Sequence, residues 1–253
     1  MSWAEIEQLT TRVKQLPLAE RLSRQQLNQV LVSAHSTMIE GSRVTIQPAL
    51  DFLTGEPARV GERLPWDGYN MLADHARALD LALRRAGARE LPSVALVQEL
   101  AGAVMRTTGK RTTSILGTTD AARGDFRRDK VSILGATSFP NAQKVGSLVD
   151  GLLLNLRKQL PLALALPEQL TLSFDAHQQL VSIHPFNDGN GRTARLLMSY
   201  VQHFYDQPLT VVFREDKRAY FEALEQSRRT DDLTSFRKFM QGQHRKSLLQ
   251  QLA

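Results

Sequence analysis

Residues 183–195 read IHPFNDGNGRTAR, and this run decides how the rest of the chain is interpreted. Pro185 disfavours helical backbone at the residue before it, so the helix leading to His184 should stop there. Asp188, Gly189, Asn190 and Gly191 then set two glycines beside two residues that tolerate left-handed backbone. Such a stretch can curl so that successive backbone N–H groups face one concavity, a nest for an anion. Arg192 should open a new helix, whose N-terminus adds its dipole and free N–H groups to the same place. Arg192 and Arg195, three residues apart, share a helix face. Two guanidiniums and a nest describe a polyphosphate site. Asp188 at its rim offers the hard oxygen ligand that magnesium takes beside phosphates. His184 offers an imidazole able to accept a proton near neutral pH.

Other readings of the run account for less. Asp-Gly and Asn-Gly also form tight turns, but a bare turn leaves the two arginines, the histidine and Phe186 unexplained. Gly189, Gly191 and Ala194 spell the dinucleotide fingerprint GxGxxA, which needs a preceding strand, whereas residues 174–183 read as helix. A calcium loop fails because Arg192 holds a ligand position and no glutamate closes the loop. Gly109-Lys110 is followed by Arg111 and lacks the upstream glycine of a phosphate-binding P-loop.

Outward from this run, apolar residues recur at helical spacing. Leu27, Val30, Leu31, Ala34 and Met38 predict one helix, stopped by Gly41. Others are predicted at 66–86, 93–105 with Ser93 as its cap, 148–160, 168–183, 192–205, 217–227 and 233–249. Residues 55–65, GEPARVGERLP, read as a linker dividing an N-terminal helical segment (1–60) from the main body (61–253). Residues 106–146 are rich in Thr, Gly, Ser and Arg and weakly periodic, with an alternating strand-like stretch at 130–134. A segment of that kind inside a helical protein is usually functional or disordered. The fold class is mainly α with a short β-hairpin.

The composition fits one large domain or two small ones: 253 residues, 42% hydrophobic and 23% charged. The absence of cysteine excludes disulfides, a thiolate nucleophile and Cys-ligated zinc. The net charge of +6 leaves phosphate or nucleic-acid partners open, although the positive residues are scattered. Glu5 and Glu7 stand where a signal peptide would be basic and then apolar. Asp150, Arg157 and Lys158 interrupt the most apolar stretch, so no membrane span is expected. The expected location is the cytoplasm.

The run HPFNDGNGRTAR resembles the signature of the Fic family, HPFx[D/E]GNGRxxR, without departure, and the likeness extends over roughly residues 66–240. The resemblance implies a Fic-like helical core with a hairpin flap, and transfer of AMP from ATP to a hydroxyl of a target protein. It implies His184 as the base, Phe186 as the loop's anchor, and Asp188 as the ligand of Mg²⁺. It further implies Gly189, Asn190, Gly191, Arg192 and Arg195 on the phosphates. Residues 124–140, GDFRRDKVSILGATSFP, occupy the place of the family's flap, which clamps the target's backbone. Arg123, Arg127 and Arg128 there could instead form a nucleic-acid patch, a reading we disfavour because charge runs are usually solvated. Tyr220 and Phe221 fall where relatives line the adenine pocket, with ordinary helix packing as the alternative. Arg228 stands where some relatives carry asparagine, which leaves the nucleotide base open. His177 reads as a core histidine rather than a metal ligand.

Upstream, residues 36–41, STMIEG, resemble the family's inhibitory pattern [S/T]xxxE[G/N] in the subclass with an N-terminal inhibitory helix. Ser36 and Glu40 share a helix face and Gly41 ends the helix. A glutamate in a last turn is opposed by the helix dipole by about 0.3–1 kcal/mol, so a compensating cation is expected. The resemblance names Arg195 as that cation and implies that the pair turns ATP away from its productive pose. In some relatives the same glutamate orients a water that removes AMP, which makes a de-AMPylating hydrolase the first alternative. A non-catalytic nucleotide-sensing or nucleic-acid-binding regulator is the second. Self-modification and a homo-oligomer are both open, and the target protein is unread.

Overall fold

The computed structural model describes residues 2–55, 66–133 and 137–253. In chain order the helices are α1 (Trp3–Lys14), α2 (Leu18–Ile39), α3 (Ile46–Thr54), α4 (Trp66–Gly87) and α5 (Val94–Val104), followed after the strands by α6 (Ala142–Gln159), α7 (Leu166–Ile183), α8 (Asn190–Phe204), α9 (Lys217–Thr230) and α10 (Thr234–Leu252). Between α5 and α6 lie β1 (Arg111–Ser114), β2 (Gly117–Asp120), β3 (Ser132–Ile133) and β4 (Thr137–Ser138). Two antiparallel pairs result, with Arg111 opposite Asp120 in the first and Ser132 opposite Ser138 in the second. The fold is a helical core with hairpins. Among the described residues, no helix is long and apolar enough to cross a membrane.

α8 lies at the centre, and every residue from Arg192 to Gln202 is buried. Polar groups in so enclosed a helix need partners. The Gln202 amide reaches Ser173 and Thr210 on either side, and Ser199 Oγ returns its proton to the Arg195 carbonyl. α4, α5 and α7 pack around α8 through Leu79, Leu100, Leu180 and their neighbours, and α6 adds Leu153 to the same core against α5 and α7. α1 adds Ile6, Leu9 and Val13 to a second core shared with Phe236 and Met240 of α10. α2 joins the principal core through Leu31 and Val32.

Several local expectations change. α1 and α3 were not anticipated: Ser2 caps α1 by accepting from the Glu5 N–H at 3.3 Å, and α3 is too short to carry a clear period. α8 opens at Asn190 rather than Arg192, with Gly189 as its cap. The left-handed Gly189 turns the chain into helix geometry two residues earlier than the arginine pattern suggests. A hairpin at β1–β2 was not foreseen, and the strand expected at 130–134 contracts to Ser132–Ile133. Leu134, with the rest of 134–136, lies outside the described residues, as does the proposed division at residue 60.

Candidate active site

His184 ends α7 in a left-handed conformation, φ 52° and ψ 60°. Pro185 moves it out of the right-handed helical region as expected, although to the left-handed well rather than to extended backbone. Phe186 is 2% exposed and packs against Phe126, ring centroids 5.5 Å apart. The Asn190 side chain closes the loop: its Oδ1 accepts from the Phe186 N–H at 2.9 Å and its Nδ2 donates to the Phe186 carbonyl at 2.8 Å. The side-chain amide of Asn190, the first residue of α8, is thereby engaged within the loop. At the start of α8 the first-turn N–H groups lack intrahelical acceptors, which makes the helix start a seat for an anion.

The Glu40 carboxylate lies over Gly191 at that helix start. A Cβ on Gly191 would meet Glu40 Oε1 and crowd Arg195 Nη1, so a side chain there would push the carboxylate aside. Glu40 Oε1 accepts from Arg195 Nη2 at 2.6 Å. Ser36, on the same face of α2, accepts from Arg195 Nε through its hydroxyl at 2.8 Å and from Nη2 through its carbonyl at 3.1 Å. Tyr220 OH accepts from Nη1 at 3.3 Å and lies 2.9 Å from His177 Nε2. Gly41, at φ +101°, ends α2 in a Schellman motif: the Ser42 N–H donates to the Thr37 carbonyl and the Gly41 N–H to the Met38 carbonyl. The turn holds Glu40 at the helix end, pointed across to α8. Burial disfavours the charged form of Glu40, and Arg195, with Arg192 and Lys217, more than offsets it, so the carboxyl titrates below its ordinary value.

Arg192 is buried to the same degree as Arg195, but its surroundings differ. Its Nη2 donates to Met105 Sδ at 3.1 Å and reaches Asp188 Oδ1 at 3.4 Å, while Nε and Nη1 are buried without partners. Burial lowers its pKa. Two orphaned guanidinium nitrogens beside a helix start describe a place built for further anionic oxygens. Asp188, 68% exposed, sits at the rim. No cluster of three or more metal-ligating side chains occurs among the described residues. A single exposed carboxylate suits magnesium, which takes one or two protein ligands and completes its shell with phosphate oxygens and water.

The His184 ring stacks on Phe139 at 3.9 Å between centroids, and the Arg228 guanidinium lies 5.3 Å from the centroid of the Phe139 ring. Burial pushes the imidazole down to about 4, Arg127 and Arg228 add to the push, and Glu40 opposes it. The ring is therefore neutral at physiological pH and able to accept a proton.

Of the two aromatic candidates on α9, Tyr220 is 1% exposed beneath Arg195, and Phe221 is 44% exposed under the Lys217 ammonium. His177 is fully buried, stacked on Phe236 and pushed down to about 3 by burial. Arg127, grouped by sequence with a basic surface run, is instead 2% exposed. Its neighbour Phe126, packed on Phe186, was the one signal that this part of the run turns inward.

Residues 92–202 match the family model described as the Fic/DOC family. A protein adenylyltransferase Fic of Nematostella vectensis is 45% identical over 56 residues, 22% of this chain and 13% of that protein. Its namesake in Drosophila persimilis is 28% identical over 191 residues, 75% of this chain and 34% of that protein. The chain thus spans about a third or less of the length of the curated relatives it matches. Among solved structures, a Fic domain containing signaling protein from Bacteroides thetaiotaomicron superposes with a TM-score of 0.80 at 22% identity, over 97% of this chain and 95% of that one. Fic-1 from C. elegans gives 0.73 at 19% identity, over 98% and 70%. At these identities the structural likeness is one of fold.

Proposed function

With residues 92–202 a domain of the Fic/DOC family, we propose that the chain is a protein adenylyltransferase restrained by its own Glu40. The observation that carries the proposal is the anion seat at the start of α8, where the Glu40 carboxylate covers Gly191 and holds Arg195 while two nitrogens of Arg192 lack partners. ATP is the anion such a seat would take. Gly191 and the first-turn N–H groups would bind phosphate oxygens, with Arg192 and Arg195 on the distal phosphates. Asp188 would hold a Mg²⁺ ion, which neutralises phosphate charge. His184 would take the proton from a Ser, Thr or Tyr hydroxyl as its oxygen bonds to the α-phosphorus. The bond from that phosphorus to the bridging oxygen breaks, and pyrophosphate leaves. Positioning and charge neutralisation supply most of the acceleration in such transfers.

Restraint follows from geometry. While Glu40 holds Arg195, the seat carries a negative charge and the guanidinium is turned away from phosphate. A charge-assisted bond of about 1.5–3 kcal/mol corresponds to a restraint of roughly 10- to 150-fold. Glu40→Gly should therefore raise self-labelling from labelled ATP by about that factor, and adding His184→Ala should abolish it. Equal labelling by Glu40→Gly and the unaltered protein removes the restraint. Persistent labelling by the double variant removes His184 as the base.

Glu40 also supports a second reading. Held ionised, its carboxylate could accept a hydrogen bond from a water and orient it for attack, as a de-AMPylating hydrolase requires. Release of AMP from a pre-modified target by the unaltered protein would establish that direction. The target is proposed to dock along residues 124–140, of which 134–136 lie outside the described residues.

A further inference from the structure

Arg127 is 2% exposed, and among the described residues no carboxylate pairs with it. Burying a guanidinium is costly unless acceptors satisfy its donors. Three carbonyls do this. Nε donates to His184 O at 2.7 Å, Nη1 to Asp129 O at 2.8 Å, and Nη2 to Pro140 O at 2.5 Å. Its backbone N–H donates to Pro185 O at 2.9 Å. Asp129 and Pro140 stand at the two feet of the β3–β4 segment, and His184 and Pro185 begin the α7–α8 loop. One side chain therefore ties the hairpin's base to the loop.

The bond to His184 falls where the backbone most needs support. Left-handed backbone costs a side-chain-bearing residue about 1–2 kcal/mol, and such conformations persist where the surroundings over-determine them. Phe139 holds the ring of His184, and Arg127 holds its carbonyl.

We propose that Arg127 is a positioning residue for the transfer reaction: by gripping the His184 carbonyl together with both feet of the β3–β4 segment, it fixes the backbone conformation that aims the imidazole at the incoming hydroxyl. The inference rests on the adenylyl-transfer reading. A planar fork with separated donors can span three carbonyls, whereas the point charge of lysine cannot.

The test compares Glu40→Gly with Glu40→Gly/Arg127→Lys. Misplacing a reacting group by about 1 Å costs about 10²-fold, so kcat for self-labelling should fall by that order in the double variant. The Kd for ATP should stay within about twofold, because the α8 seat is untouched. A kcat within about threefold of the parent, or a loss of ATP binding alongside kcat, overturns the positioning role. Failure of both Arg127→Lys and Arg127→Gln to fold overturns it in favour of a purely structural one. If Glu40→Gly itself does not label, the transfer reading falls, and a measurement independent of activity decides the fate of Arg127. The ring resonances of His184, identified in ¹⁵N-labelled protein by their loss in His184→Ala, should shift and broaden in Arg127→Lys. Unchanged ring resonances overturn the inference whatever the activity.

Discussion

Arg192 and Arg195 are both 3% exposed, lie one turn apart on α8 and face the same anion seat, yet their circumstances are opposite. Every donor nitrogen of Arg195 is engaged, by Ser36, Glu40 and Tyr220. Burial works against its charge, and Tyr220 and Glu40 more than offset that, so its pKa is raised. Arg192 keeps two nitrogens without partners, and burial lowers its pKa. One arginine is satisfied by the protein itself and the other awaits a partner. The difference separates stability from binding: the chain leans on Arg195 for structure and keeps Arg192 in reserve.

The comparison breaks most clearly on substitution by methionine. Arg195→Met leaves Glu40 and Ser36 without their cation. Removing one member of a buried pair costs about 3–5 kcal/mol, and the partial exposure of Glu40, 30%, points to the lower end. Denaturant unfolding should show a loss of about 3 kcal/mol. Arg192→Met removes a guanidinium that is already under-partnered, so stability should change by less than about 1 kcal/mol. Its effect belongs in binding: in the Glu40→Gly background, ATP affinity by calorimetry should fall roughly 10- to 100-fold. A large stability loss in Arg192→Met, or none in Arg195→Met, breaks the distinction.

Acidification sharpens it. The folded pKa of Glu40 is depressed below the ordinary 4.5. Its contribution to stability is therefore fully present above that pH and lost as pH falls through the folded value. The melting-temperature difference between the unaltered protein and Glu40→Gln should be constant above 4.5 and shrink below it. A difference that persists undiminished in stronger acid excludes the Glu40–Arg195 pair as its source. A smaller loss than that of Arg195→Met is expected of Tyr220→Phe, which removes one hydroxyl from Arg195 and His177 at a cost of about 1–2 kcal/mol. Little change in ATP affinity should accompany it, since Arg195 keeps Ser36 and Glu40.

The helical class was legible because apolar residues at three- and four-residue steps record burial directly. α4, α5 and α7 through α10 fall close to their expected places, whereas α2 and α6 begin well before theirs, at Leu18 and Ala142. The loop at 183–195 was legible because proline, glycine and paired arginines constrain backbone and charge over a few residues. α1 was missed although Ile6, Leu9 and Val13 stand at three- and four-residue steps behind the cap Ser2, so its pattern was local and went unread. The hairpin at β1–β2 was missed because a run of Thr, Ser and Gly without an apolar face carries no period. Arg127 was misread for a related reason: in DFRRDK nothing local distinguishes the guanidinium that turns inward from the one beside it.

The sequence by itself determined the helical class, the break in the chain around Pro185 and Gly189, and the candidate residues of that loop, since each depends on neighbours within one or two turns. Tertiary structure alone decided the rest. Glu40 and Arg195, 155 positions apart, meet only because α2 packs against α8. Three carbonyls converge on Arg127 only because a hairpin and a loop share one end of the core. A long-range contact has no local signature, because the residue type that fits it is chosen by whatever the rest of the fold brings beside it.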